Sequence, residues 1–547
     1  MAPGRFGRMR ALPPQSSPDR SSPDDSPGGG TVTDDDDAVG AGGTEVGRMR
    51  RSHVRGSALL MSGRILTLLI TTATQVVVVR ALTKAEFGAF AYALAIAAAG
   101  RILLSLGQGR LLSRFMAKYD ERGDYDRMFG SMFLAVGTIV VTSTITLGAL
   151  FVFTDSLIGS TVQDPATMKV VLILVFLAPI EALDQVFVSL FAVFSKPRTI
   201  FFRKYLMTPG LRLVVVLALA LTGASVTFLA IGYLAAGVVG IVIYLLVFIK
   251  VLRERDLLRH LRFRRIVLPF REVFSFSTPM ITGELLQLSL VVGGVVILAA
   301  HHTAEEVAAY RAVFNPARLN TAVLGAFVPL FLPLAARLFE RGDTAGLRHT
   351  YWHTGAFVAV LTFPVFALTG PLATELTVLL FGDAYSDSGV VLAILSVGYF
   401  FSTALGFNAY TLQVCGRIRF LVGVNVVAAA VNIGVSLLLV ERYGAIAIAI
   451  ATLSTLVVQN LLNQWALRTS IGTSFIDRSC LWAYAVIGLG TAALWTFQAL
   501  VRPGLVLGLV AAALVSLVVL VVSRNALELR DTFPELRRVP VVRWLLR

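Results

Sequence analysis

The feature that most constrains how this chain can fold is its series of long apolar stretches. Fourteen segments stay apolar over the roughly 20 residues that a helix needs to cross a bilayer. Because lipid offers no hydrogen-bond partners, a spanning segment must be a helix or part of a closed barrel, and barrel strands would alternate over only about ten residues. The sequence therefore predicts an all-α polytopic membrane protein. Its spans are predicted near 56–79, 87–109, 129–153, 168–194, 205–222, 225–250, 273–300, 307–336, 350–370, 388–413, 418–440, 443–467, 480–501 and 503–523.

The composition agrees with a chain that lies mostly in lipid. Hydrophobic residues make up 56% and charged residues 15% of the sequence, whereas an average soluble domain has about 25% charged residues. Residues 1–50 differ, because Pro, Gly, Ser and Asp dominate there and few large apolar side chains could build a core. This stretch is predicted to be a disordered cytoplasmic tail. It has no apolar h-region, which argues against a secretory signal peptide.

An internal duplication predicts how the helices are arranged. Thr83 and Thr303 open similar turns 220 residues apart (303 − 83), and two Glu-Arg-Gly-Asp motifs, at 121–124 and 340–343, each follow two apolar runs. Self-similarity of this kind indicates two copies of one multi-helix unit. We therefore expect two six-helix lobes of the same orientation, related by an axis along the membrane normal, and a further pair of helices. The predicted lobes are 56–250 and 273–467, and the C-terminal pair covers 480–523.

The basic residues predict the orientation of the chain. With the N-terminus placed in the cytoplasm, the inner segments next to helices carry 34 Lys and Arg residues against 5 in the outer segments. By the positive-inside rule, both termini are expected in the cytoplasm, with the chain as a multi-pass protein of the cell (inner or plasma) membrane. The net charge of +15 is then a topology signal, and no nucleic-acid partner is needed to explain it. The basic linker 251–272 and the basic tail 524–547 are expected against anionic lipid headgroups.

Motifs for catalysis, metals or nucleotides do not stand out. Cys415 and Cys480 lack metal-ligand spacing, and no G-x-x-x-x-G-K-[ST] signature is present. His301 and His302 are interpreted as part of an exposed outer turn rather than a metal site. We expect no catalytic residue, no metal and no cofactor, with H⁺ or Na⁺ left open as a coupling ion.

Three segments, taken in order, resemble a known family. They are RALTKAEFGAFAYALAI at 80–96, LLFGDAYSDSGVVLAIL at 379–395 and VNIGVSLLLVERYGAIAIAIATLST at 431–455. They resemble segments of the polysaccharide-transporter (Wzx-type) flippases of the multidrug/oligosaccharidyl-lipid/polysaccharide (MOP) exporter superfamily. Asn432 is followed by Ile433-Gly434, where many members have a second Asn nearby, which is a minor departure.

The resemblance implies a function but no catalytic set. A polyprenyl-pyrophosphate-linked oligosaccharide would be moved from the cytoplasmic to the outer leaflet by alternating access, for the biosynthesis of a cell-surface polysaccharide such as lipopolysaccharide. The expected partners are the lipid-linked glycan, membrane lipids and a polysaccharide polymerase or glycosyltransferase. The protein is not expected to be an enzyme.

Ionisable residues inside the spans are the candidate site residues, because a charge at a helix centre costs roughly 2.5–3.5 kcal/mol on insertion scales. A guanidinium group pairs phosphate oxygens bidentately and stays charged when desolvated. We therefore predict that arginines line a cavity between the lobes and bind pyrophosphate, helped by an asparagine at helical spacing. The predicted substrate-binding residues are Arg64, Arg101, Arg311, Asn315 and Arg318.

The acidic residues in the spans leave two interpretations open. Glu181 and Asp184 on helix 4, and Glu284 on helix 7, either take part in ion coupling or neutralise buried arginines. Pairs of Glu284 with Arg318, and of Glu181 or Asp184 with Arg64, would satisfy the second interpretation. Arg212 lies closer to the inner surface, where snorkelling to the headgroups could explain it. Pro316, Pro329 and Pro333 on helix 8 are the best candidates for a hinge.

Three function classes compete. The first is the flippase described above, and the second is another MOP exporter, for drugs or for lipid II. Five arginines against three acids inside the spans favour an anionic cargo over the organic cations of a drug exporter, although lipid II is also anionic. The third is a membrane polysaccharide polymerase or ligase, which the short, base-poor outer loops argue against.

Overall fold

The computed structural model describes residues 63, 66–105, 108–152, 165–194, 201–261, 265–270, 272, 284, 288–474 and 477–523. Several predicted parts of the chain lie outside these residues. They are the candidate site residue Arg64, the tails 1–50 and 524–547, and most of the predicted span 273–300. Throughout the described ranges the regular secondary structure is helical. This is the expected outcome for apolar segments in lipid, because a helix satisfies its backbone hydrogen bonds within itself.

The α-helices of the described ranges are named here in chain order. The N-lobe contains α1 (Leu66–Ala81), α2 (Lys84–Ser105), α3 (Gln108–Glu121), α4 (Tyr125–Val152), α5 (Pro165–Leu174), α6 (Leu177–Phe194), α7 (Thr208–Thr222) and α8 (Val226–Glu254). The C-lobe contains α9 (Gly294–His301), α10 (Ala304–Arg318), α11 (Ala322–Glu340), α12 (Thr344–Thr369), α13 (Ala373–Phe381), α14 (Ser388–Ala404), α15 (Asn408–Val414) and α16 (Ile418–Ile471). The last two helices are α17 (Arg478–Val501) and α18 (Leu505–Ser523).

The helices confirm the predicted class of an all-α polytopic membrane protein. Among the described residues, 11 helical segments are long and apolar enough to cross a membrane, with α5–α6, α10–α11 and α14–α15 each counted as one. Leu66–Ala81 and Val291–His301 are shorter apolar helices. The 54-residue α16 bends at Gly444, at the start of the second of the two spans predicted there. The exact number of fourteen spans stays a prediction.

The helix boundaries repeat at the offset that the sequence motifs predict. α1 and α9 end at Ala81 and His301, and α2 and α10 begin at Lys84 and Ala304, an offset of 220 in both cases (301 − 81 and 304 − 84). Each Glu-Arg-Gly-Asp motif ends one helix and begins the next. Gly123 and Gly342 have φ of 66° and 71°, and the following aspartates accept hydrogen bonds from backbone N–H groups three residues on. The motifs are therefore helix caps.

The lobes are joined at one end of the bundle and separate at the other. We call these the outer and inner ends, after the orientation that the charges predict. One hydrophobic core contains Val78 and Phe90 of the N-lobe together with Val313 of the C-lobe. Two further cores each lie within one lobe, around Phe129 in the N-lobe and around Phe331 in the C-lobe, the latter shared with α17 and α18. A shared outer core and separate inner cores describe an inward-facing arrangement.

Close backbone packing and an arginine hold the outer end together. A Cβ atom on Gly88 of α2 would lie 1.8 Å from the carbonyl oxygen of Ala304 on α10, so only glycine permits this approach. Arg80, at the end of α1, donates to the carbonyl oxygens of Leu379 (2.5 Å) and Leu380 (2.8 Å) near the C-terminus of α13. A cation at a helix C-terminus is favoured by the helix dipole. The two lobes are thus bridged at their outer ends.

Part of the basic linker packs on the inner end of the N-lobe. The hydroxyl of Tyr119 donates to Glu272 at 2.9 Å, and the backbone N–H of Val267 contacts the carbonyl of Asp126 at 3.4 Å. Burial, and then the bond to Glu272, raise the pKa of Tyr119 to about 12. The phenol therefore remains a donor at neutral pH. Gly130 lets the linker pass, because a Cβ there would lie 1.9 Å from the oxygen of Val267.

Candidate functional site

A charged cluster lies inside the N-lobe. Arg101 on α2 and Arg212 on α7 both face Glu181 on α6, with Arg101 Nε 3.6 Å from Oε2 and Arg212 Nη2 2.7 Å from Oε1. Each carboxylate oxygen thus has its own guanidinium partner. These side chains are between a quarter and a third exposed, because they line a cavity.

This N-lobe cavity has a volume of about 250 Å³. Its polar lining consists of Arg101, Glu181, Asp184, Gln185, Thr208 and Arg212. The remaining wall is apolar and comes from α6, α7 and α8. The cavity belongs to one lobe only. The ion pairs within it can therefore stay intact when the lobes move relative to each other.

A second cavity lies between the lobes. This interlobe cavity has a volume of about 200 Å³, and its polar lining consists of Thr71, Thr74, Gln75, Arg212, Arg311 and Asn315. Phe87, Phe90 and Tyr233 supply aromatic wall. Two arginines and no carboxylate occur among the described residues of this lining. The site is therefore suited to an anion.

Arg212 belongs to both cavities. Its guanidinium carbon lies 5.4 Å from the centroid of the Tyr233 ring, and that ring packs edge-on against Phe90 at 5.1 Å. Cation–π contact of this kind holds a guanidinium against an aromatic face without removing its hydrogen-bond donors. Arg212 is thus placed on the wall that separates the two cavities.

α10 brings the C-lobe arginines to the gap between the lobes. Arg311 and Arg318 lie on either side of Phe314, with guanidinium carbons 5.3 and 5.6 Å from its ring centroid. Arg311 is half-buried, whereas Asn315 and Arg318 are exposed. Exposure therefore increases along this face of α10 towards the inner end, where the lobes separate.

Gln75 of α1 connects the N-lobe to α10 at the cavity wall. Its side-chain amide nitrogen donates to the carbonyl oxygens of Arg311 (3.1 Å) and Ala312 (2.7 Å), and its oxygen accepts from Asn315. The carbonyl of Ala312 is available because residue 316, its usual i+4 partner in a helix, is Pro316 and has no N–H. The proline thus creates an acceptor that the opposite lobe uses.

The structure brings some of the predicted site residues together and separates others. Arg311 and Asn315 line the interlobe cavity as predicted. Arg101 does not line it. Arg101 lies near the C-terminus of α2, beside α6, and pairs with Glu181 in the N-lobe cavity. Glu181 pairs with Arg101 and Arg212 in the structure, whereas the partner expected from the sequence, Arg64, lies outside the described residues.

For the other predicted acids the structure gives positions only. Asp184 lines the N-lobe cavity, and Glu284 is half-buried in a stretch of helix 7 whose neighbours lie outside the described residues. Their roles in coupling or pairing, and a substrate-binding role of Arg64 and Arg101, stay predictions.

Arg212 is the residue that sequence reasoning missed. The sequence places Arg212 closer to the inner surface, where snorkelling to the headgroups would account for it. In the structure a π-helical segment, Phe201–Met207, precedes α7, so Arg212 lies about three turns into a continuous helical run. The cost of a charge at that depth was the available signal.

The fold and site together define a polytopic membrane protein with two similar helical lobes and an interlobe cavity suited to an anion. Residues 77–390 match the model of a family described as polysaccharide biosynthesis protein. This match covers more than half of the chain, and the chain belongs to that family.

A curated relative has a similar sequence over part of its length. An uncharacterised membrane protein of Methanocaldococcus jannaschii is 24% identical over 253 residues, which are 46% of this chain and 49% of that protein. The alignment therefore spans about half the length of the relative.

Solved structures of transporters share the fold. The lipid II flippase MurJ, in an inward closed conformation, has a TM-score of 0.65 and 12% identity, covering 89% of this chain and 100% of that chain. An inward-facing multidrug MATE transporter of the MOP superfamily has a TM-score of 0.60 and 14% identity, covering 75% and 96%. The MATE transporter VcmN of Vibrio cholerae has a TM-score of 0.52 and 16% identity, covering 78% and 98%. The family match and this shared fold agree with the resemblance found in the sequence.

Proposed function

We propose that this chain is a flippase for a polyprenyl-pyrophosphate-linked oligosaccharide, which it moves from the cytoplasmic to the outer leaflet by alternating access. The observation that carries the proposal is the interlobe cavity, where Arg212 of the N-lobe and Arg311 of the C-lobe line one space without a carboxylate among its described lining. Membership in a polysaccharide biosynthesis family supports a glycan as the cargo.

The size of the cavity fits the pyrophosphate rather than the whole cargo. Its volume of about 200 Å³ is below the range of about 300–1,000 Å³ that holds a drug-sized ligand. In this proposal the pyrophosphate binds between Arg212 and Arg311, and the glycan occupies the wider gap near the exposed Arg318. The polyprenyl chain remains in the bilayer, because burying it in protein would bring no gain over lipid.

The arrangement of the lobes supports a cycle of two states. In the inward-facing arrangement Gln75 bridges the lobes at the wall of the cavity, and Arg80 bridges them at the outer end. Opening outward requires these bridges to break while the inner ends approach. Arginines contributed by both lobes would draw the lobes together around a bound anion, since each gains a charge-assisted hydrogen bond.

Several parts of the proposal extend beyond the cavity. We expect the cycle to be driven by H⁺ or Na⁺ rather than by ATP. The expected location is the inner or plasma membrane with both termini in the cytoplasm, and a polysaccharide polymerase or glycosyltransferase is the expected partner. The chain itself is proposed to carry out no covalent chemistry.

Transport by purified protein in liposomes tests the proposal. Lipid-linked oligosaccharide from one leaflet should become accessible to a glycosidase in the other, and Arg311→Ala should slow this at least tenfold. The loss corresponds to about 1.4 kcal/mol, which is modest for a charged hydrogen bond to phosphate.

Arg337→Ala is the matched control, because Arg337 lies at the inner end of the same helical run, in the last turn of α11. It should transport at the wild-type rate. Equal rates for Arg311→Ala and wild type would refute the cationic cavity. Transport of lipid II, but of no other lipid-linked glycan, would instead identify a lipid II flippase.

A further inference from the structure

The N-lobe and interlobe cavities share a residue whose ion pair lies in only one of them. Arg212 lines both, yet its 2.7 Å hydrogen bond is to Glu181 in the N-lobe cavity. Anion binding in the interlobe cavity would have to compete with that bond. Glu181 would remain paired after the loss of Arg212, because Arg101 holds its other oxygen at 3.6 Å.

We propose that Glu181 is an internal counter-ion that competes with the anionic cargo for Arg212 and so sets the affinity of the cargo. Without cargo, Glu181 neutralises Arg212 and keeps it ordered. With cargo, Arg212 turns its donors to the pyrophosphate, and Arg101 retains Glu181. This inference rests on the proposed anionic cargo, and it assigns a positioning role to residues that do not touch the cargo.

The charges of the cluster make this exchange physically reasonable. Arg101 and Arg212 balance the two carboxylates of the N-lobe cavity, Glu181 and Asp184, whereas the interlobe lining that Arg212 also reaches has no carboxylate among its described residues. Removing one partner from a buried pair is costly when the remaining charge is left alone. The second arginine avoids that cost, because Glu181 is never without a cation.

The surroundings of the cluster limit the movement to the guanidinium group. Tyr233 lies 5.4 Å from Arg212 and also lines the interlobe cavity, so the guanidinium can rotate its donors while staying on the ring. The other charged group of the N-lobe cavity is Asp184, on the same helix as Glu181. α8 contributes Ala236, Gly237, Gly240 and Ile241 to this cavity, which offer no competing charge.

The exchange has a functional consequence that a purely structural ion pair would not have. A flippase must bind its cargo on one side and release it on the other, and an excessively tight anion site would hold the cargo. Competition from Glu181 lowers the affinity by the free energy of the broken pair. Removing the competitor should therefore tighten binding and slow turnover, which is opposite to the effect of damaging the site.

Binding of farnesyl pyrophosphate, a short polyprenyl pyrophosphate, to the purified full chain in detergent tests the inference. Glu181→Gln should lower Kd about tenfold, equivalent to about 1.4 kcal/mol, and should lower KM and kcat together in transport. In an Arg212→Gln background, the Glu181→Gln change should leave Kd unaltered, because the arginine for which Glu181 and the cargo compete is then absent. Asp184→Asn removes the same charge from the same cavity and should change Kd less than Glu181→Gln.

The outcomes separate this inference from the proposed function. Weaker or unchanged binding by Glu181→Gln, together with weaker binding by Arg311→Ala, would overturn the counter-ion and leave the anion site standing. If wild type binds farnesyl pyrophosphate no better than farnesol, both are overturned. If Glu181→Gln does not elute as a folded monodisperse protein, Glu181→Asp replaces it, and a Kd equal to or above that of wild type would overturn the counter-ion.

Discussion

Gln75 shows how a single side chain completes the contact between the lobes. Pro316 cannot donate to the carbonyl of Ala312, and a carbonyl left without a donor inside a membrane costs several kcal/mol. Gln75 supplies the missing donor from the opposite lobe at 2.7 Å. Pro316 is expected from the sequence only to bend the predicted span 307–336. In the structure it also creates the acceptor for an interlobe hydrogen bond.

A double-mutant cycle tests this dependence. Gln75→Leu should destabilise the protein by about 1 kcal/mol, the usual net value of one hydrogen bond. In a Pro316→Ala background the effect should shrink, because residue 316 then donates to Ala312 within the helix. Unfolding in mixed micelles of increasing SDS content gives the four free energies of unfolding. An equal effect of Gln75→Leu in both backgrounds would show that the bond to Ala312 is not the cause.

At the scale of helices, the two copies of the repeat use the same capping residues differently. Thr83 and Glu86 form a reciprocal capping box at the start of α2, with each backbone N–H bonded to the other side chain. Thr303 and Glu306 have the same spacing at the start of α10. There, however, Glu306 accepts the backbone N–H of Ala445 at 2.9 Å. The second copy thus joins α10 to the bend in α16.

That bend depends on Gly444, whose φ of 52° and ψ of −126° are outside the helical region. An L-residue is strained there by about 1–3 kcal/mol, and a Cβ would lie 2.6 Å from Glu306 Oε2. Gly444→Ala should therefore lower the thermal midpoint by several degrees. Gly434→Ala on the same helix is the control, because a Cβ there meets nothing within 4 Å, and it should leave the midpoint unchanged or raise it. Equal midpoints for the two variants would contradict the assignment of strain to Gly444.

For the whole molecule, the main feature is the unequal joining of the lobes. The outer ends share one core and the bridge from Arg80 to α13, whereas the inner ends have separate cores. An equilibrium between two arrangements moves when a contact present in only one of them is removed. The Arg80 bridge is a contact of the inward-facing arrangement.

Arg80→Ala should therefore increase the population of outward-open molecules. The measurement is the labelling rate of Val78→Cys by a membrane-impermeant maleimide added from outside, with Cys415 and Cys480 replaced. Val78 is 2% exposed and lines the interlobe cavity, so its labelling reports opening, and the rate should rise several-fold.

Arg442→Ala is the control for this experiment. The guanidinium carbon of Arg442 lies 5.5 Å from the ring centroid of its neighbour Tyr443. Its substitution removes a similar charge from a segment predicted to lie outside. A labelling rate that rises equally in both variants would contradict a specific role of the Arg80 bridge.

The sequence by itself determined the helices, their order and their duplication. Apolar runs of membrane length leave no other regular structure, and repeated turns at Thr83 and Thr303 mark equivalent helix ends because capping is local chemistry. Arg311 and Asn315 could be predicted as neighbours on one face, since helical spacing decides that without tertiary information.

Only the tertiary structure decided which charges meet. Arg101 of α2 and Arg212 of α7 both reach Glu181 of α6 across the N-lobe cavity, and no spacing along one helix contains that fact. The same packing places Arg212 between two cavities and leaves the interlobe lining basic. Periodicity fixes the face of a helix on which a residue lies, whereas its partner depends on which helix packs against that face. For this protein, the sequence therefore identifies the charged residues inside the membrane. The packing of the helices decides which of them form an ion-pair cluster and which line an anion site.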